Sequence, residues 1–245
     1  MPILLFAYGV ASYAFFFATF LYLIAFVGDL PVARTIDVGP AAGLAEALCI
    51  DLLLLAVFAV QHSVMARQGF KRWWTRFVPQ PVERSTYVLA ATLAVVLLMW
   101  QWRPIAAPLL WNVDNPTAVL VIHAVSWLGW GVLLVSSHLI DHFELFGVRQ
   151  VCAHLFRLEE RETEFRTPLF YRHVRHPLYL GFLIAFWTTP RMSAGHLLFA
   201  LGNTAYILVG IWFEERDLVA QFGERYRAYR RQVSMLLPWP GRSAD

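Results

Sequence analysis

The sequence predicts an all-α polytopic membrane bundle of about six helical spans, and three observations carry that prediction. Of 245 residues, 58% are hydrophobic and only 15% are charged, where soluble domains average roughly 45–50% and about 25%. The apolar residues gather into runs close to the roughly 20 that a helix needs to cross a bilayer core. The basic residues fall almost entirely into alternate loops. One or two soluble domains are excluded by the composition, because a single globule cannot hide that much apolar surface.

The spans follow in order. Ile3–Val27 carries no charge and lacks the basic lead of a secretory signal, so it reads as a retained helix. Leu44–Met65 is a second span, with Glu46 and Asp51 inside it, Thr86–Trp102 a third and Ala118–Ile140 a fourth. Leu178–Thr189 is short, about 18 Å at 1.5 Å per residue. With His196–Phe213 it forms a helical hairpin turned at Pro190–Ser193, Pro190 ending the first arm. The polar stretch Asp141–His176 is a loop with a helix predicted over Leu158–Arg166 from i,i+4 acid–base spacing. In the tail, Leu218, Phe222, Tyr226 and Tyr229 recur at helical spacing and predict an amphipathic helix.

Arg67–Arg84 holds 5 Lys and Arg, Arg149–Arg175 holds 6 and Arg216–Arg242 holds 6, whereas Arg34, Arg103 and Arg191 stand one in each remaining loop. With six spans the basic loops share one face. The positive-inside rule then puts both termini, the large loops and any site built on them on the cytoplasmic side of a membrane, here the bacterial inner membrane. The net charge is only +3. Topology and anionic lipid as partner explain it, and nucleic acid is not required. Cys49 and Cys152 are too few for a disulfide framework or a thiolate metal site.

Chemistry concentrates in two stretches. Tyr171–Gly181 (YRHVRHPLYLG) packs His173, Arg175, His176, Pro177, Tyr179 and Gly181 into the start of the fifth span. A proline in a first helical turn leaves backbone N–H groups for a polar ligand, and Gly181 allows close approach of a ligand or a neighbouring helix. Glu214 and Glu215 close the sixth span, where the helix dipole disfavours acids; they call for a partner, either the nearby arginines or a cationic ligand.

The order RHPLYLG followed by EERDLVAQFGERYRAYRRQV and a terminal proline (Pro238 or Pro240) resembles the isoprenylcysteine carboxyl methyltransferase family of membrane enzymes. Gln61–Leu89 (QHSVMARQGFKRWWTRFVPQPVERSTYVL) and His138–Val151 (HLIDHFELFGVRQV) resemble a bacterial branch, the methanethiol S-methyltransferases. The resemblance implies S-adenosylmethionine as cofactor and S-methylation of a small thiol, methanethiol, to dimethyl sulfide. It assigns the cofactor to His173, Arg175, His176, Pro177, Tyr179, Gly181, Glu214, Glu215, Tyr226 and Tyr229. Apart from the resemblance, His196 and Asn203 on the sixth span are candidates to face the same pocket. Residues 141–245 would then form the cofactor part and residues 1–140 the acceptor part.

On the acceptor side, Asp51, Leu55, Phe58 and His62 share one helical face. An ionisable group inside a span such as Asp51 points to function or to a protonated or hydrogen-bonded structural group, and His62 is suited to act as base or to make a helix-end hydrogen bond. Arg72, Arg76 or Arg84 would favour a thiolate electrostatically, and Tyr87, Asp141 and His142 lie at the same membrane level. Trp73, Trp74 and Trp100 fit an interfacial belt. No metal is required. Rival readings are methylation of an isoprenylcysteine carboxylate or a phospholipid, a di-iron oxygenase using His62, His138, His142, His173 and His176, and a non-enzymatic haem or nitrogen-oxide-associated membrane protein.

Overall fold

The computed structural model describes residues 1–158 and 165–238. Helix α1 (Pro2–Val27) opens on a proline, which suits a first turn. It is followed by α2 (Leu44–Ala66) and, after a bend at Arg67, by the short α3 (Gln68–Trp74). Helix α4 (Gln80–Gln101) starts earlier than its hydropathy predicts. The polar turn ahead of Thr86 is itself helical, with Glu83 placed where the positive helix end favours an acid. Helix α5 (Pro116–Ile140) is capped by Asn115, whose Oδ1 accepts the Ala118 N–H at 3.0 Å.

Two short helices, α6 (His142–Leu145) and α7 (Val148–Phe156), occupy part of the expected polar loop. The helix predicted over Leu158–Arg166 lies largely outside the described residues. Helices α8 (Pro177–Trp187), α9 (Ala194–Phe222) and α10 (Glu224–Gln232) complete the chain, and strands β1 (Leu109–Asn112) and β2 (Arg191–Ser193) pair. The predicted tail helix is broken: its first half prolongs α9, and Gly223, at φ +56, turns the chain into α10.

Helices α1, α2, α4, α5 and α9 are each long and apolar enough to cross a membrane. Leu52, Leu53, Trp127, Leu128 and Trp212 stand exposed on them. A surface of that kind belongs against hydrocarbon, and the chain is an integral membrane protein.

The described residues divide into two compact units, one comprising residues 1–110, 143–158 and 192–199, the other residues 111–142, 165–191 and 200–238. Packing therefore cuts the chain differently from a single boundary at residue 140. In the first unit α1 and α4 run parallel, with Tyr8 OH donating to Thr86 Oγ1 at 3.1 Å. At the far end of α4, buried Trp102 donates to Ile36 O at 3.1 Å and meets Phe26 and Phe199 edge-on. The Arg103 N–H, just past the helix, donates to Asp51 Oδ1 at 2.9 Å.

In the second unit α8 lies antiparallel to α5. A Cβ on Gly129 would stand 2.8 Å from Ala185 N, and one on Gly181 2.7 Å from Gly129 O, so only glycine lets these backbones touch. At 11 residues, or about 16 Å, α8 covers half a bilayer core. The extended chain beyond it is met by Trp111, whose Nε1 donates to Thr189 O at 2.9 Å, and by Val113 N–H, which donates to Pro190 O at 2.9 Å. Helix α9 returns alongside, with Trp187 Nε1 donating to Thr204 Oγ1 at 2.9 Å. This is the expected hairpin, with a short first arm.

Candidate active site

In the second unit, the first turn of α8 meets the last turns of α9. The tail after α10 pairs with the approach to α8, as the N–H groups of Arg175 and His176 donate to Ser234 O at 2.8 Å and Met235 O at 3.2 Å. That ladder presents Arg175 and His176 to Glu215. Arg175 Nε lies 2.7 Å and His176 Nε2 3.1 Å from Glu215 Oε1, and Arg230 Nη1 stands 3.6 Å from Oε2. Arg175 also donates through Nη1 to the carbonyls of Arg230 and Val233. Glu215, expected at the end of the span, lies about two turns inside the longer α9 and is held by three cationic or polar partners.

Glu214 is more open, 3.8 Å from His176 Nδ1 and 43% exposed. Arg172 and His173 are exposed on the turn before α8. An aromatic group closes the other side: Phe165 meets Tyr226 and Tyr229 edge-on at 5.8 and 5.3 Å, and Tyr229 OH donates to Tyr171 O at 2.5 Å. Burial pushes the phenols of Tyr171 and Tyr226 well up, and Tyr229 to about 12, so all three stay protonated donors at neutral pH. The buried Tyr226 OH has no hydrogen-bond partner among the described residues.

The structure thus brings together His173, Arg175, His176, Pro177, Tyr179, Glu214, Glu215, Tyr226 and Tyr229. Arg175 is engaged with Glu215 and two carbonyls. Gly181 is given to the α5 contact. His196, in the first turn of α9, lies nineteen residues from Glu215 along one helix, about 28 Å, and Asn203 about 18 Å; neither is brought to this cluster. The backbone N–H of buried His196 instead donates to Ser193 Oγ at 3.0 Å, and that hydroxyl donates to Asp37 Oδ1. Phe165, Ser234 and Met235 were not expected. A lone aromatic ending an acidic run and two backbone carbonyls leave no sequence signal.

A second cluster lies in the first unit, where α2 and α4 face each other. His62 Nε2 and Tyr87 OH are 2.7 Å apart, and Phe58 stacks on His62 at 5.3 Å. The Arg84 guanidinium sits 5.0 Å from the Tyr87 ring centre while its Nε donates to Leu145 O at 2.8 Å. Lys71, another unexpected member, has its ammonium pushed down by burial and by Arg84, against the pull of Glu83. Arg72 and Arg76 are exposed. Asp51 is fully buried at the far end of α2, eleven residues or about 16 Å from His62. It receives the backbone beyond α4 and does not join His62.

Asp141 and His142 lie in the second unit. His142 is hydrogen-bonded through Nδ1 to Ser137 Oγ at 2.9 Å and stacks on His138 at 4.2 Å. Burial and His138 push its pKa down, against the pull of Asp141. Among the described residues, no group of three or more His, Cys, Asp or Glu is arranged to hold a metal ion.

The chain is 57% identical over 235 residues to the methanethiol S-methyltransferase of Mycobacterium tuberculosis, covering 96% of each chain. It is 55% identical over 234 residues to methanethiol S-methyltransferase 1 of Bradyrhizobium diazoefficiens, covering 96% of this chain and 82% of that one. At greater distance it is 34% identical over 180 residues to Nurim of Bos taurus, covering 69% of this chain and 66% of that one. No family model and no solved structure matches it. Identity of this extent, sustained along nearly the whole length of several relatives, means that the chain belongs to the methanethiol S-methyltransferase family.

Proposed function

We propose that this chain methylates the sulfur of methanethiol with S-adenosylmethionine as donor and releases dimethyl sulfide, its site facing the cytoplasm from a bacterial inner membrane. The observation that carries this reading is the match to methanethiol S-methyltransferases over 96% of the chain. The grouping of 17 of its 20 Lys and Arg in alternate loops supports the orientation.

The second unit's cluster suits the cofactor's chemistry. The open Glu214 carboxylate and the aromatic faces of Phe165 and Tyr226 match its cationic groups. Arg172 and His173 match its carboxylate, and the unpartnered Tyr226 hydroxyl offers a buried hydrogen bond. When bound, the cofactor supplies an electrophilic methyl group on a sulfonium. Glu215, fixed by Arg175, His176 and Arg230, positions these groups and makes no contact with the cofactor.

Residues 1–140 provide the acceptor side and residues 141–245 the cofactor side. An alkyl thiol is mostly protonated near neutral pH, so a base or a nearby cation must raise its thiolate fraction. His62 is the proton acceptor in this reading; Tyr87 fixes its ring, and Arg84 and Lys71 supply positive charge for the thiolate. Asp51 is assigned to folding, as the partner of the backbone after α4.

Membranes expressing the chain, given methyl-labelled S-adenosylmethionine and methanethiol, should release labelled dimethyl sulfide above an empty-vector control. Cofactor binding by the folded protein without that product would keep the methyltransferase and replace the acceptor by an isoprenylcysteine carboxylate or a phospholipid. Neither product nor binding would sink the proposal.

A further inference from the structure

Gln61 precedes His62 on α2 and carries a carboxamide held by a single sulfur. Its Nε2 donates to the thioether sulfur of Met65, one turn on, at 3.1 Å. Its Oε1 is buried and has no hydrogen-bond partner among the described residues. Gln61 and Met65 prolong the stripe of buried Ala47, Asp51 and Leu54, which recur on α2 at spacings of four and three. Phe58, on the same stripe, stacks on His62. The Gln61–Met65 pair thus lies on the face of α2 that carries the imidazole's stacking partner. Both side chains are half-buried, within reach of a small molecule.

A thioether is a weak acceptor, and a carboxamide anchored only by one is easily redirected. Its N–H prefers a thiolate, because a hydrogen bond to an ionised acceptor is about twice as strong as one to a neutral group. Methanethiol that has lost its proton is such an acceptor. Once methylated, it is a neutral thioether and accepts no better than the Met65 side chain, which also ends in a methyl sulfide. Met65 is tethered one turn away and competes at high effective concentration. The same amide therefore separates substrate from product by charge.

We propose, resting on the methanethiol reading above, that Gln61 binds the acceptor sulfur. Its Nε2–H leaves Met65 for the methanethiol thiolate, and the Met65 thioether reclaims it when dimethyl sulfide forms. Gln61 is a specificity-determining residue, and Met65 is a built-in competitor that favours product release.

The test is steady-state kinetics of the full chain in membranes, with methanethiol varied at saturating labelled S-adenosylmethionine. Gln61→Leu should raise the methanethiol KM about tenfold, the loss of one hydrogen bond to a charged group, and leave the S-adenosylmethionine KM unchanged. Met65→Leu keeps the bulk and removes the sulfur. It should lower the methanethiol KM about threefold, as the amide loses its internal partner, and make dimethyl sulfide a stronger inhibitor. A merely structural pair would not move the two variants in opposite directions, and misfolding cannot produce the gain. A second readout needs no turnover. Among the methyl carbon resonances of the five methionines, the one missing from Met65→Leu should shift when methanethiol is added to the unsubstituted chain and stay in place in Gln61→Leu. An unchanged methanethiol KM in Gln61→Leu, or a raised one in Met65→Leu, would overturn the inference and leave the proposed function standing. No labelled dimethyl sulfide from the unsubstituted chain would overturn both.

Discussion

The two clusters of ionisable side chains differ in how their charges are answered. Around α8, Glu215 faces Arg175, His176 and Arg230, with Glu214 beside them. Around His62, the neighbours are Tyr87, Phe58, Arg84 and Lys71, and the carboxylate acting there, Glu83, bears on Lys71. A group of matched charges is stiff and holds its shape before any ligand arrives. An unmatched basic group gains most when an anion enters. In the function proposed above, the first region takes the zwitterionic cofactor and the second the anionic nucleophile.

The largest effect expected is in the matched region. Glu215→Ala leaves the buried Arg175 without its carboxylate and His176 with only the more distant Glu214, and breaking a buried pair in this way costs about 3–5 kcal/mol. Thermal unfolding in detergent should show the loss, together with lost binding of labelled S-adenosylmethionine. A stable, binding-competent Glu215→Ala protein would erase the contrast. In the unmatched region the loss should be catalytic. His62→Ala should cut turnover by about 10²-fold or more, the low end for a positioned base, while cofactor binding is kept. If both fall together, His62 belongs with the cofactor.

Packing gives an intermediate effect. Gly181→Ala forces a methyl group against the Gly129 carbonyl, and overpacking of this kind costs about 1–3 kcal/mol. Its melting point should fall whether or not cofactor is present, which separates a helix contact from a ligand contact. Tyr87→Phe removes one hydrogen bond to His62 and should lower turnover about tenfold.

The smallest effect is a pH slope. His142 sits below its ordinary value of 6.5 in the folded chain. Below pH 6.5 the unfolded chain therefore takes up a proton that the native chain does not, and stability falls from pH 7 towards pH 5. Melting curves of His142→Gln should show a flatter slope over that range. An unchanged slope would locate the titration in another group.

Much of the fold was legible because hydropathy is a local property. Five long spans and the short first arm of the hairpin follow from windows of about 20 residues, which is all a bilayer asks of a helix. The break at Gly223 was missed because the periodicity of Leu218, Phe222, Tyr226 and Tyr229 runs straight across it, and a positive φ leaves no trace in an apolar pattern. In the candidate site, the RHP and EE stretches already pointed to each other by charge. Their pairing joins residues about forty positions apart, and only α8 and α9 folding back as antiparallel arms brings them together.

By itself the sequence determined that this is a polytopic α-helical membrane protein of the methanethiol S-methyltransferase family. Tertiary structure decided which partners its polar residues meet. Asp51 receives the backbone after α4, Gly181 lets α8 touch α5, Arg175 braces Glu215, and His196 stands about 28 Å along α9 from the cluster it was expected to join. The reason is physical: a polar group's role depends on the partner that satisfies it, and here those partners lie tens of residues away along the chain.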